Sequence, residues 1–298
     1  MKNARILHNP NAGKQEHTKK NLVSLVKSNG FDCGYSSTKN INWKKVKRDT
    51  DFFIIAGGDG TVRTIVVNLI KKKKDIQKLP ILLLPLGTAN NIAKSLGIDG
   101  HIDEILKNIR KRNLKNFDVG IIKGRKKDMI FLESFGFGVF PELMKKMKNV
   151  DESEDASPEE NLRIALEQLH SIVMKYPAKP FTIIIDGVPN TDHYILIEVM
   201  NISSIGPNLN LSPNSDPGDG EFELVMIPES QREEFASYIS YKMSGIEKSF
   251  VPIIIKGKKI SISTPAGYMH TDDELKFLKK PKQLNIVPEP GMMKFFVQ

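Results

Sequence analysis

The chain has 298 residues, 40% of them hydrophobic and 27% charged, which suits two globular domains with their own cores. No apolar run reaches the ~18 residues of a membrane-spanning helix. The opening MKNARILHNPNAGK turns polar too early for a secretory signal, and the single cysteine, Cys33, excludes an internal disulfide framework or a cysteine metal site. The expectation is a cytoplasmic protein. The formal net charge is +9, from 44 Lys+Arg against 35 Asp+Glu, and the excess is clumped, as at Lys44, Lys45, Lys47 and Arg48, at 71–74, at 110–112, at 125–127 and at Lys145, Lys146 and Lys148. Such clumps suit phosphates, nucleic acid or an anionic membrane, or simply keep a surface soluble. They are scattered, and no helix-turn-helix, zinc or RNP-type motif organises them, so no nucleic-acid partner is expected.

In chain order, residues 4–8 read as a short strand and 18–28 as a helix stopped by Asn29-Gly30. Residues 31–36 form a second strand. Residues 52–56 are a buried strand, followed at 61–72 by helical spacing that puts Val62, Ile65, Val66, Leu69 and Ile70 on one side. The run 80–85, PILLLP, is another buried strand, with helices at 90–96 and 102–110. Strands alternating with helices imply an α/β domain with a parallel sheet, whose ligands sit at the carboxyl ends of the strands. After about Asp118 strand-like runs dominate, at 117–123, 129–135, 181–186, 194–200, 222–227, 253–255, 259–263 and 283–287. This is the pattern of a mainly antiparallel, sandwich-like second domain. Helices interrupt it from Ser157, with the cap signature Ser-Pro-Glu-Glu, to about Lys175, and again near 232–243. The acidic run 151–155 reads as an exposed loop. The expected division is 1–118 and 119–287, with a tail from about 288 to 298 returning to the first domain.

Three strands of the first domain end in unusual loops. The first is Asn9-Pro10-Asn11-Ala12-Gly13-Lys14; His8 and Gln15 stand where a Walker A loop needs glycine and a hydroxyl residue, so it is not a P-loop, yet it can offer backbone amides to a phosphate. The second is Gly57-Gly58-Asp59-Gly60-Thr61. It lacks the last glycine of a dinucleotide fingerprint, but the helix after it points its amide-rich end at the loop and Thr61 adds a hydroxyl. Asp59 would repel a phosphate unless a cation or substrate hydroxyl lies between them; a tight turn with an Asx-type bond is the other reading. The third loop, Pro85-Leu86-Gly87-Thr88-Ala89-Asn90-Asn91, repeats the logic of glycine, hydroxyl and helix start.

NPNAG, then GGDGT after a strand, then PLGTANNIAKSLGI, in this order, resembles the diacylglycerol-kinase catalytic family of lipid kinases, whose fold is shared by sphingosine, ceramide and, more distantly, NAD kinases. The stretch FLESFGFGVF at 131–140 resembles the family's F-x-N-x-x-G-x-G-F, and DPGDGEFEL at 216–224 its D-D-G-x-[LF]-D segment. Thr271-Asp272-Asp273-Glu274-Leu275 sits where the family has D-G-E-P. The resemblance therefore spans nearly the whole chain. It implies a two-domain kinase that moves the γ-phosphoryl group of ATP to a lipid hydroxyl at a membrane surface, with ATP and Mg²⁺ as cofactors. Asn9, Pro10, Asn11, Ala12, Gly13, Thr38, Gly57, Gly58, Gly60, Thr61, Val62, Gly87, Thr88 and Asn90 would hold the nucleotide. Asp219 would hold Mg²⁺, with backbone oxygens at or near Asp216 and Glu221; Asp272 or Glu274 would be the base and Asp59 would join an acid–magnesium network. The resemblance carries a homodimer for some members only.

The chain departs from the family pattern at Arg63 and Thr64, where GGDGT-x-N-E has Asn and Glu, and at Asn91, Glu133 and Asp273. These changes keep two other readings open: a non-catalytic or weakly active nucleotide- or lipid-binding member, and a kinase of a soluble acceptor such as NAD. Residues 137–150 place Phe140, Leu143, Met144 and Met147 at helical spacing beside lysines. That suits an interfacial contact with anionic lipid, or an ordinary helix covering the second domain.

Overall fold

The computed structural model, described over residues 2–13, 17–45, 49–72, 74–124, 127–148 and 157–298, divides into two units: Met1–Val119 with Pro290–Gln298, and Gly120–Glu289. Lys14, Gln15, Lys47, Arg48, Lys73, Arg125, Lys126 and the acidic run 151–155 lie outside the described residues. Among the described residues no helix is long and apolar enough to cross a membrane.

In the first unit the chain runs through β1 (Asn3–His8), α1 (Lys19–Ser28), β2 (Asp32–Ser37), a 3₁₀ turn at Ile41–Lys44, β3 (Phe52–Gly57), α2 (Asp59–Ile70), α3 (Lys74–Gln77), β4 (Ile81–Pro85), α4 (Asn91–Ser95), α5 (Ile102–Asn108) and the start of β5 (Leu114–Lys123). The sheet is parallel, in the order β2-β1-β3-β4. Every residue of β3 is buried, as expected for a central parallel strand covered on both faces. Packing, not intrinsic propensity, explains α2. Its buried residues Val62, Ile65, Val66 and Leu69 recur at i, i+3, i+4 and i+7. Each is worth roughly 1.5–3 kcal/mol of burial, against tenths of a kcal/mol lost to its β-branched residues. Thr18 caps α1, its Oγ1 accepting from the Asn21 amide at 3.2 Å. The C-terminal segment closes the sheet: Phe295 stands in parallel register opposite Ile81, Phe117 and Phe295 pack edge to face, and the Gly291 amide donates to the buried Asp118 carboxylate at 2.6 Å.

In the second unit follow β6 (Met129–Phe131), β7 (Ser134–Gly138), α6 (Val139–Met147), α7 (Pro158–Lys175), β8 (Lys179–Ile185), β9 (Val188–Met200), β10 (Ser204–Ile205), β11 (Leu209–Asn210), β12 (Phe222–Pro228), α8 (Arg232–Met243), β13 (Ile253–Gly257), β14 (Ile260–Thr264), β15 (Gly267–Thr271), β16 (Glu274–Leu278) and β17 (Lys282–Phe296), whose last residues belong to the first unit. The pairing is antiparallel: β9 pairs with β8 through Tyr194, then with β12 on one side and β7 on the other. That switch of partners makes a sandwich from one long strand. One core lies between the layers, built on Phe131, Phe135, Phe137, Phe181, Ile197, Phe222 and Leu284; a second lies under α6, α7 and α8. The alternating burial of β8 reflects one solvated face, and the unbroken burial of β9 from Tyr194 reflects helices on the other.

Two expectations change, and of the two readings of α6 the covering helix holds. The expected strand 129–135 is broken into β6 and β7, because the amides between them point at a carboxylate instead of a ladder partner. The hairpin β15–β16, which the sequence reading passed over, turns at Asp272 with a φ of 50°. The apolar side of α6 is covered: Val139, Phe140 and Leu143 are buried and Met147 packs on the same cluster, so the helix covers the unit.

The register of β9, β7 and β15 places Glu198, Gly136 and His270 in one row across three strands. Glu198 and His270 meet over the glycine, and both are essentially fully buried. A Cβ on Gly136 would lie 2.0 Å from Glu198 Oε2 and 2.4 Å from the Ile197 carbonyl oxygen. Gly136→Ala is therefore expected to cost about 2 kcal/mol or more and lower the melting temperature by several degrees. A thermal melt of the variant that overlays the wild type would show that this row is not packed as described.

Candidate functional site

The loops after β1, β3 and β4 converge at the carboxyl end of the first unit's sheet. A cavity of about 530 Å³ lies there, lined by Asn9, Ala12, Thr38, Gly58, Gly60, Thr61, Thr64 and Gly87. After β1, Asn9 ties its loop to the rest: its amide donates to the Ala56 carbonyl at 2.9 Å and its Nδ2 to Thr61 Oγ1 at 3.1 Å. The Thr38 amide donates to the His8 carbonyl at 2.8 Å, which brings the end of β2 alongside. α2 opens at Gly58, so its positive end faces the cavity at Gly58, Gly60 and Thr61.

The glycines have a local cause. A Cβ on Gly87 would lie 2.4 Å from the Cα of Gly58, one on Gly58 2.9 Å from the Cα of Gly87, and one on Gly57 2.7 Å from the Thr61 side chain. Two neighbouring loop backbones touch, and a side chain on either would separate them. Asn90, in the left-handed conformation at φ 52°, ties the third loop by accepting from the Gly87 amide at 2.9 Å and donating to the Gly87 carbonyl at 2.7 Å. Asp59 then joins the loops: its carboxylate accepts from the amides of Asn91 at 2.9 Å and Ile92 at 3.1 Å, at the start of α4. Burial pushes the Asp59 carboxyl above the usual carboxylate range, against the Ile92 and Asn91 amides and Lys94, which favour its charge. Its role in this geometry is that of a cap and a staple.

Of the residues expected to hold a nucleotide, the structure gathers Asn9, Ala12, Thr38, Gly58, Gly60, Thr61 and Gly87 around the cavity. Pro10, Asn11, Gly13, Thr88 and Asn90 belong to the same loops without lining it. Val62 is buried and packs inward as part of α2, and Gly57 is buried beneath Thr61. Thr64 is a lining residue that the sequence reading had noted only as a departure.

The acids expected to serve catalysis or metal binding lie in the second unit. The Asp272 carboxylate is buried and accepts from the amides of Leu132 at 3.0 Å, Glu133 at 2.8 Å and Ser134 at 3.2 Å. Its oxygens are committed to the chain between β6 and β7, which is a positioning role. The Glu274 side chain is 46% exposed and paired with Lys276. Asp216 and Asp219 each spend one carboxylate oxygen on their own turn, accepting from the amides of Gly218 and Glu221 at 3.0 Å. The other Asp219 oxygen meets Lys256 Nζ at 2.5 Å. Mg²⁺ asks for six close oxygen ligands at about 2.0–2.1 Å. Mg²⁺ keeps several of these as waters and takes few carboxylates, so the mismatch rests on Asp219, whose Oδ2 already holds an ammonium group; among the described residues no group of three or more His, Cys, Asp or Glu side chains is arranged to hold a metal.

Sequence reasoning missed the pair Glu198–His270, whose Oε1 and Nε2 are 2.8 Å apart. The only signal was one acid inside the apolar run of β9. His270 Nδ1 lies 2.9 Å from the Asp272 carbonyl, which can only accept, so this nitrogen carries a proton and the ring supports the turn that holds the Asp272 carboxylate. Burial works against charging His270, but the Glu198 charge, its hydrogen bond and the Asp272 carbonyl prevail and raise its pKa. A raised folded-state pKa stabilises the fold below the unfolded value of about 6.5, and that contribution is lost as pH rises through the higher folded value. The melting temperature should therefore fall as pH rises above about 6.5, and Glu198→Gln should flatten that fall; an identical pH profile in the variant would rule out this source.

Comparison with known proteins gives a consistent picture. The diacylglycerol kinase catalytic domain family matches residues 3–122, and the YegS C-terminal NAD kinase beta sandwich-like domain family matches residues 148–294. The chain is 26% identical over 266 residues to the diacylglycerol kinase of Bacillus subtilis strain 168, covering 82% of this chain and 80% of that one. It is 25% identical over 276 residues to a Staphylococcus aureus diacylglycerol kinase, covering 88% and 82%. A crystal structure of a diacylglycerol kinase from Bacillus anthracis strain Sterne superposes with a TM-score of 0.72 at 22% identity, covering 100% of this chain and 97% of that one, which shows a common fold.

Proposed function

With residues 3–122 matching the diacylglycerol kinase catalytic domain family and residues 148–294 the YegS C-terminal domain family, we propose that the chain transfers the γ-phosphoryl group of ATP to the hydroxyl of a lipid of the diacylglycerol type. The observation that carries this reading is the convergence of three loops, with the positive end of α2, on one cavity of nucleotide size, about 530 Å³. Phosphoryl transfer needs little covalent help from a protein; it needs positioning and stabilisation of charge. In this reading the Gly58 and Gly60 backbone and the Thr61 hydroxyl hold phosphate oxygens, and Asn9 and Thr38 close the cavity around the nucleotide. Divalent ions that accompany ATP neutralise phosphate charge.

The acceptor oxygen bonds to the γ-phosphorus as the bond to the ADP oxygen breaks, and the acceptor's proton passes to a base. Both carboxylates nominated by resemblance are engaged, Glu274 by the Lys276 ammonium at a half-exposed site and Asp272 by three amides, and the reading keeps either as that base. The acceptor is drawn from a bilayer surface. The apolar side of α6 is covered, so the reading assigns surface contact to basic residues: Lys146, Lys175 and Lys179 border a groove of about 410 Å³ between α6 and α7, and Lys145 borders its neighbour.

The test is ADP release by the purified chain with ATP and Mg²⁺ over mixed micelles of diacylglycerol, phosphatidylglycerol, a sphingoid base or ceramide, with NAD as soluble control. Diacylglycerol micelles should support turnover. Thr61→Val should raise KM for ATP about tenfold, the loss of roughly one hydrogen bond, with a melting temperature lowered by a few degrees through the lost tie to Asn9. Silence on every lipid, with ATP binding intact by calorimetry, would move the assignment to the non-catalytic reading.

A further inference from the structure

We infer that Lys256 is a built-in cation of the acidic turn at Asp219, Glu221 and Glu223, standing where a divalent ion would otherwise be required. The inference concerns the metal expected for this turn and does not depend on which substrate the kinase uses.

The argument starts from sheet register. β12 and β13 pair so that Glu223 and Lys256 stand directly opposite each other, the position at which cross-strand pairs of opposite charge meet. Glu223 is nearly buried, its side chain only 8% exposed. Asp219 and Glu221 lie on the turn that leads into β12 and add two more carboxylates to the same place. Three acids this close repel one another unless a cation sits among them. The Lys256 ammonium does so: its Nζ is 2.5 Å from Asp219 Oδ2, 3.7 Å from Glu221 Oε2 and 3.7 Å from Glu223 Oε1. Lys258 adds a second contact, 3.8 Å from Glu221 Oε1.

A divalent ion bound by these oxygens would have to expel the ammonium. Asp219 already has a partner on each oxygen, Oδ1 accepting the Glu221 amide and Oδ2 the lysine, so an ion would compete with the ammonium for Oδ2. The turn 216–221 is therefore held by the chain's own charge, and its order is independent of metal.

The experiment is thermal melting of the purified chain without nucleotide or lipid, so that failure here is separable from failure of the kinase reading. The wild type should melt at the same temperature in EDTA, in Mg²⁺ and in Ca²⁺. Lys256→Met should melt several degrees lower, and Lys256→Arg, which keeps the charge, should recover most of the loss. A wild-type melting temperature that drops in EDTA, with the drop abolished by Asp219→Asn, would overturn the inference. So would a Lys256→Met protein that melts with the wild type in every buffer. The wild-type arm decides the matter even if Lys256→Met fails to fold.

Discussion

Two loop backbones in the first unit touch, and its cavity depends on that contact. Where Gly58 faces Gly87 there is no room for a Cβ on either side. The contact pulls the ends of β3 and β4 together, and the Asp59 carboxylate holds it by accepting two amides from α4. A buried carboxylate is unfavourable unless hydrogen-bonded, and here the bonds are local, directional and between the loops that must be aligned. The cradle is thus shaped by the chain's own contacts. That suits a reaction whose catalysis is chiefly a matter of holding phosphates in place.

The second unit answers to a different constraint: buried charge must be matched. Glu198 and His270 have no water to turn to, and they meet because a glycine between them on the middle strand leaves room. One step along the chain, Asp272 takes three amides that would otherwise have continued a strand ladder. A carboxylate outcompetes a carbonyl for those amides because charge-assisted hydrogen bonds are roughly twice as strong as neutral ones. The break between β6 and β7, the tight turn at Asp272 and the buried ion pair are one connected arrangement.

The acids of this unit have a shared character. Asp272 accepts from amides, Asp219 from an amide and an ammonium group, and Glu198 faces an imidazole through Oε1. A family resemblance nominates acids for metal and proton chemistry by their place in a motif. Their lone pairs decide what they can do, and here those lone pairs are mostly engaged with the protein itself. The polar groups of the first unit are otherwise disposed, with hydroxyls and helix-end backbone turned toward an open cavity.

The sequence by itself determined the fold class, because hydrophobic period is a local property: the unbroken apolar run of β3 and the i, i+3, i+4, i+7 stripe of α2 are read without knowing any neighbour. It also located the three loops, because glycine, threonine and a helix start in sequence mark places where a backbone must come close to something. Only the tertiary structure decided what that something is, since Gly58 and Gly87 are separated along the chain and first meet across a parallel sheet. The same holds for Glu198 and His270, which strand register joins, for Asp272, whose amide donors lie some 140 residues away in sequence, and for Lys256, placed among its acids by the pairing of β12 with β13. A motif names residue types along one dimension; whether a carboxylate meets an amide, an ammonium or solvent is settled by what the fold brings to it.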